Sequence, residues 1–253
     1  MTRSRLLEQR AVVGTMIRLV RTPAIVLVAK EAGLDFVMFD MEHGPIGFET
    51  VSDAASMARA AGIDCFVRVP ELTKGYVSRA LDCGVTGIMV PMIKNGEEAR
   101  AFARWARYQP IGKRGIGGWG AHTDYRDTSR LGEAFFSQTN ASILTIAQIE
   151  VAEAIEAIDE IAQVEGIDAL LVGPADLSAS LAVSGQFNHP LMDDAIARVA
   201  DAAQRHQKVF GIHSGEALLK KWIRSGCTLR MNSMDITLLS EGMRAITTLR
   251  GEE

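Results

Sequence analysis

Eight short apolar runs, separated by amphipathic stretches that mostly end on glycine, constrain this chain more than any other feature. The runs are Val12–Ile17, Phe36–Asp40, Cys65–Val69, Gly87–Pro91, Ile143–Ile149, Ala169–Gly173, Val209–His213 and Thr228–Ser233, each five to seven residues long. Continuous apolar runs of this length read as strands buried on both faces, as a parallel sheet demands. Helical patterns fill the gaps at Pro23–Ala32, Phe48–Ala61, Lys74–Cys83, Glu97–Arg107, Val151–Val164, Leu191–His206 and Glu216–Ser225, and Asp235–Arg250 reads as a terminal helix. Gly33, Gly62, Gly84, Gly166 and Gly226 stand at or near helix ends, where a left-handed stop is expected. Eight strands alternating with helices predict a (β/α)8 TIM barrel rather than a doubly wound open sheet. A single domain over residues 1–253 follows. Two stretches break the rhythm. Tyr108–Asn140, with five glycines before Tyr125, reads as a long insertion of the kind that forms lids or binding loops. Ala182–Pro190 reads as a polar loop.

Composition narrows the function classes. The chain is 47% hydrophobic and 23% charged, which excludes intrinsic disorder. Its formal charge is −4 with no basic stretch, which argues against a nucleic-acid partner. No run approaches the ~18 apolar residues of a membrane span. Arg3, Arg5 and Arg10 are followed by no apolar segment of the signal-peptide kind. Cys65, Cys83 and Cys227 are widely spaced and odd in number, so a disulfide scaffold or zinc ribbon is not expected and a reducing cytoplasm fits.

Barrel enzymes place their reacting groups at the C-terminal ends of the strands. Here those ends carry Asp40, Glu42 and His43, then Arg68, Gln148 and Glu150, then Asp176, His213, Ser214, Asn232 and Ser233. The opposite strand ends carry Asp35, Asp64, Asp168 and Lys208, which read as structural charges. Glu150 and Asp176 offer hard oxygen donors suited to Mg²⁺ or Mn²⁺; helix capping is the alternative. Asp40 three residues before His43 has the spacing of a carboxylate orienting an imidazole base, although a hydrogen-bonded surface histidine has the same pattern. Arg68 lies in an otherwise apolar strand and needs an anionic partner, either a ligand or Asp40 or Glu42. No lysine falls at a C-terminal strand end, which disfavours Schiff-base chemistry. Gly115, Gly117 and Gly120 form G-x-G-x-x-G without a preceding strand, and there is no G-x-S-x-G, so neither a dinucleotide fold nor an α/β-hydrolase is supported.

Taken in order, these residues resemble the HpcH/HpaI aldolase family of metal-dependent pyruvate aldolases. The resemblance rests on Phe39-Asp40-Met41-Glu42-His43-Gly44-Pro45, Val67-Arg68-Val69, Leu81-Asp82-Cys83-Gly84 and Met89-Val90-Pro91-Met92. It continues through Tyr108-Gln109-Pro110-Ile111-Gly112-Lys113-Arg114-Gly115, Gln148-Ile149-Glu150 and Gly173-Pro174-Ala175-Asp176-Leu177-Ser178. It implies a barrel assembled as a homo-hexamer, a trimer of dimers, with the C-terminal helix exchanged between subunits. It implies Mg²⁺, Mn²⁺ or Co²⁺ held by Glu150 and Asp176. Pyruvate would chelate the metal, with Gln148, Gly173, Pro174, Ala175 and Arg68 around it. Arg68 would steady the enolate oxygen, and His43 with Asp40 would handle the proton. The implied reaction is reversible cleavage of a 4-hydroxy-2-oxo acid to pyruvate and an aldehyde. Gly117 to Tyr125 departs from the better-known heptanedioate aldolases, and Met16 stands where some members carry a tryptophan. The family places this insertion near the mouth of the site, so Trp119, His122 and Tyr125 are expected to recognise the aldehyde. Two alternatives remain: a citrate-lyase-like enzyme acting on a coenzyme A thioester, and a catalytically silent barrel that binds a 2-oxo acid.

Overall fold

All eight expected strands form in the computed structural model, which describes residues 2–128 and 132–250. They are β1 (Val12–Ile17), β2 (Phe36–Asp40), β3 (Asp64–Arg68), β4 (Gly87–Val90), β5 (Leu144–Ile149), β6 (Ala169–Val172), β7 (Val209–Ser214) and β8 (Cys227–Met234). Each pairs in parallel with the next, and β8 pairs with β1 to close the barrel. The helices are α1 (Thr2–Leu7), α2 (Ile25–Glu31), α3 (Phe48–Ala61), α4 (Lys74–Asp82), α5 (Gly96–Ala106), α6 (Gly132–Ser142), α7 (Ala152–Glu156), α8 (Ile158–Ala162), α9 (Pro174–Ser180), α10 (Pro190–Arg205), α11 (Glu216–Trp222) and α12 (Asp235–Thr247). The expected Val151–Val164 helix is thus two, broken at Ala157, whose backbone leaves the helical region (φ −98, ψ 16). The left-handed stop is realised at Gly62, where φ is +74. Among the described residues no helix is long and apolar enough to cross a membrane.

Successive strand residues face opposite ways, and this sorts the core into two layers. Met16, Phe36, Met38, Phe66, Met89, Leu144, Ile146, Leu171, Leu229 and Met231 fill the barrel interior. The Phe36 and Phe66 rings stack there with centroids 4.6 Å apart. Val37, Phe39, Val67, Ile88, Ala147, Ile149 and Leu170 face the helix ring. The same period continues beyond the apolar plug. Asp40 is two residues past Met38, Arg68 two past Phe66, and Gln148 two past Ile146. The inward ladder therefore changes from hydrocarbon to polar and charged groups within one step, at the C-terminal ends of the strands.

The opposite end is a structural seal. Leu6 of α1 is fully buried within the interior cluster, and the strand-start carboxylates clasp that helix. The Thr2 backbone N–H donates to Asp64 at 2.7 Å, Arg3 pairs with Asp168 at 2.9 Å, and Arg5 pairs with Asp35. Arg107, 1% exposed, also reaches Asp168. Lys208 Nζ donates to the carbonyls of Val164 and Ile167 at 3.1 and 2.8 Å. Asp35, Asp64, Asp168 and Lys208 are structural charges, as their strand-start positions predict.

Candidate active site

Period two brings Asp40, Arg68 and Gln148 to the top of the barrel interior, and Glu150 and Gly173 follow β5 and β6 directly. A cavity of about 390 Å³ opens above them, lined on its several sides by Arg18, His43, Arg68, Gln148, Asp176 and His213 among others. Hollows of about 560 and 600 Å³ lie elsewhere, against α5 and α8 and against the end of α10. Neither touches the C-terminal strand ends. No lysine lines the central cavity among the described residues.

Asp40 is fully buried and organises one wall. It accepts from Arg68 Nε at 2.9 Å and Nη2 at 2.8 Å, a bidentate clamp, and from Arg18 Nε at 2.9 Å. Burial alone would raise its carboxyl; Arg68 and Arg18 outweigh that and hold it below the usual range. Arg68 Nη1 also stands 2.9 Å from Glu42 Oε2, an ion pair without hydrogen-bond geometry. The Glu42 carboxyl is raised by burial and by the charges of Asp40 and Asp176, against Arg68 and His43.

Glu150, 1% exposed, accepts from the Met92 backbone N–H at 2.9 Å through Oε1 and from Gln148 Nε2 through Oε2. Burial, reinforced by the charges of Glu42 and Asp176, pushes its carboxyl up to about 7. It does not cap α7, which opens at Val151 without a side-chain cap. Asp176 lies in the first turn of α9, which likewise has no side-chain cap. Asp176 has no hydrogen-bond or ion-pair partner among the described residues. Gln148 Oε1 is buried and unpartnered. A Cβ on Gly173 would fall 2.4 Å from Glu150 Oε2, so only glycine leaves this pocket open.

These features fit a divalent cation. The donors are hard oxygens, and the buried Glu150 carboxylate, crowded by negative neighbours, gains from a nearby positive charge. Among the described residues no three His, Cys, Asp or Glu side chains cluster as metal ligands. The two carboxylates would supply part of the shell, leaving other positions to water and substrate oxygens.

Three expectations change. Asp40 does not hold the imidazole of His43; it takes that residue's backbone N–H at 3.4 Å, and its carboxylate is committed to two arginines. The carboxylate that stands by the ring is Glu42, whose Oε2 is 3.7 Å from Nε2. Trp119, His122 and Tyr125 lie at the opposite end of the barrel. Their segment joins a helix to a strand and so returns to the strand starts. Arg59 at the end of α3 pairs with Asp124 at 3.0 Å and donates to the Ala121 carbonyl at 2.8 Å, and His122 shares a hollow with Asp64 and Thr86. The insertion also holds α6 rather than being loop throughout. Arg18 was not expected. It follows β1 and is two residues past the inward Met16, the same parity that marks Arg68. His213, pushed down to about 4 by burial with Arg68 and Arg18 close by, is neutral at pH 7 and lies 3.1 Å from the Ser233 carbonyl through Nε2.

The HpcH/HpaI aldolase/citrate lyase model matches residues 19–241. A 2-dehydro-3,6-dideoxy-6-sulfogluconate aldolase of Pseudomonas putida is 33% identical over 88% of this chain and 86% of that protein. The 4-hydroxy-4-methyl-2-oxoglutarate aldolase tasA of Hapsidospora irregularis is 36% identical over 78% of this chain and 73% of that protein. The crystal structure of an HpcH/HpaI aldolase from Desulfitobacterium hafniense superposes with a TM-score of 0.92 at 34% identity, covering 99% of this chain and 96% of the other. Such matches, with the barrel and its charged upper layer, support a lyase, and the chain belongs to the HpcH/HpaI aldolase/citrate lyase family.

Proposed function

We propose that this chain is a divalent-metal-dependent pyruvate aldolase that reversibly cleaves a 4-hydroxy-2-oxo acid to pyruvate and an aldehyde. One observation carries the reading: Arg68, clamped by Asp40, opens into the same cavity that Asp176 lines and Gln148 joins to the buried Glu150. Mg²⁺, Mn²⁺ or Co²⁺ held by Glu150 and Asp176 would supply Lewis acidity to the oxygens of the 2-oxo acid. The walls at Gln148, Gly173, Pro174 and Ala175 then bound the carboxylate end of the substrate.

Cleavage begins when the C4 hydroxyl loses its proton. The C3–C4 electron pair moves toward C2, the aldehyde leaves, and negative charge gathers on the C2 oxygen. Arg68 cannot swing away from that oxygen, because Asp40 holds two of its nitrogens. Its charge is in place before the electrons move, and such preorganised donors are worth about 10²–10³-fold in kcat. His43, 51% exposed in its side chain at the cavity rim, is positioned to carry the proton, with Glu42 as its carboxylate neighbour. Return of a proton to C3 releases pyruvate. The aldolase names of relatives at 33% and 36% identity support this reaction class.

Assembly is part of the proposal. Ile236, Leu239, Met243 and Ile246 of α12 are 42–65% exposed, and the first three edge a hollow of about 350 Å³ together with Leu19. Apolar surface of this kind favours a second copy of the chain, which supports the homo-oligomer with an exchanged C-terminal helix. A pyruvate-release assay across a panel of 4-hydroxy-2-oxo acids tests the chemistry. Release with Mn²⁺ is expected. Release that persists in excess EDTA removes the metal, and no release from any panel member ends the aldolase reading.

A further inference from the structure

Arg18 is a cation with no task in the proposed cleavage itself. Met16, two residues before it, points into the barrel and is fully buried, so Arg18 shares its inward parity. Its Nε donates to Asp40 at 2.9 Å, and its Nη2 lies 3.7 Å from Met16 Sδ. Nη1 has no partner among the described residues. Arg68 is 5% exposed in its side chain and Arg18 28%, so Arg68 is the inner cation and Arg18 the outer one at the cavity mouth.

The strand order sets the direction. In a closed barrel of eight strands in sequence order, β1 lies across from β5. Glu150 follows β5 and Asp176 follows β6, so on the aldolase reading the 2-oxo acid end of the substrate belongs on that side. Carbon atoms beyond C3 then run toward the wall made by β7, β8 and β1. That wall presents Arg18, His213, Ser214 and Ser233 to the cavity, and Arg18 is the group on it with a permanent positive charge.

We propose that Arg18 reads the aldehyde half of the substrate: the fragment that leaves carries an anionic group, a carboxylate or a sulfonate, which pairs with this guanidinium. The inference rests on the aldolase reading above and adds the charge class of the aldehyde. An arginine held by one nitrogen, with another free, suits a tetrahedral or planar oxyanion entering from solvent. The serines and the neutral His213 beside it offer further polar contacts without competing charge.

The test measures kcat/KM in the condensation direction for pyruvate with succinic semialdehyde, its neutral carboxamide and the sulfonate of matching length. The wild-type protein should favour an anionic acceptor over the carboxamide by about tenfold or more, the scale of one charge-assisted hydrogen bond. The stronger of the two anions identifies the source. Arg18→Gln should bring the ratio near unity, losing mostly on the anion, and Arg18→Lys should keep part of it. Calorimetric binding of 2-oxoadipate against 2-oxohexanoate gives the same comparison without turnover. No anion preference in the wild-type protein, or an equal loss on charged and neutral acceptors in Arg18→Gln, overturns the proposal. Deuterium exchange at the pyruvate methyl group, measured without aldehyde, separates the two readings. Exchange without an anion preference refutes Arg18 alone, whereas no exchange at all takes down the aldolase reading and this inference with it.

Discussion

Gly173→Ala is the sharpest probe of the metal assignment, because its effect is steric rather than conformational. Gly173 sits at φ −98 and ψ 90, a backbone that alanine adopts freely. The added Cβ would lie 2.4 Å from Glu150 Oε2 and 2.7 Å from Gln148 Nε2, where ordinary contact begins near 3.4 Å. The Glu150 carboxylate must therefore retreat by about 1 Å. Overpacking costs about 1–3 kcal/mol in general, and the lower end applies here because the crowded atoms are the tips of side chains beside a cavity. For a chain of this size that lowers Tm by only about 2–4 °C per kcal/mol. Function should suffer far more, since a misplacement of about 1 Å can cost on the order of 10²-fold in rate. The expected result is a Mn²⁺ affinity at least tenfold weaker by calorimetry, kcat down by about 10²-fold, and a nearly unchanged Tm. Gly47→Ala, at a position with nothing within 4 Å, is the control. Wild-type Mn²⁺ affinity in Gly173→Ala would show that Glu150 is not a ligand.

Arg68→Lys keeps a charge but loses the two-pronged hold on Asp40, so kcat should fall by about 10²-fold or more while Mn²⁺ still binds; unchanged turnover would remove the enolate role. Asp168→Asn tests the opposite end of the barrel. Burial alone would raise the Asp168 carboxyl, but Arg107 and Arg3 hold it below the ordinary 3.8. Its stabilisation is therefore complete above about pH 4 and lost as pH falls through the lower folded-state value. The variant should lose about 3–5 kcal/mol at pH 7, and its gap to the wild-type protein should close in acid; a gap constant with pH would contradict the linkage. Met243→Glu combined with Ile246→Glu should convert the proposed assembly to single chains in sedimentation velocity, and an unaltered oligomer would move the interface elsewhere.

Most of the fold was readable because a parallel barrel writes itself in continuous apolar runs. β1 and β2 begin and end where the runs do, and β3 and β8 each start one residue earlier. What escaped was local. α1 is short, and it is held by contacts far away in sequence, Thr2 to Asp64 and Arg3 to Asp168, which no window of periodicity contains. The break at Ala157 between α7 and α8 is equally silent, because alanine is the best helix former and nothing in the sequence marks it as a joint. In the site, Asp40, Arg68, Gln148 and Glu150 were legible as charged or polar residues at the ends of apolar strands. The partnership among them was not. Asp40 is three residues from His43 and twenty-eight from Arg68, yet strand register sets Asp40 directly beside Arg68.

Arg18 and the Trp119–Tyr125 segment are both placed by strand geometry rather than by local composition. The parity that marks Arg68 as inward, two residues past an interior Phe66, marks Arg18 equally, two past Met16. The insertion has the length and glycine content of a binding loop, and those properties say only that it is irregular. Its position in chain order says which end of the barrel it joins. A connection that leaves a strand emerges at the site, and one that leaves a helix returns to the strand starts. Residues after α5 and before β5 are of the second kind, so within one chain the Trp119–Tyr125 segment is held by Arg59, and His122 shares a hollow with Asp64 and Thr86. On the proposed reading the aldehyde end belongs with segments that leave strands, where Arg68 is the inner cation of the cavity and Arg18 the outer one.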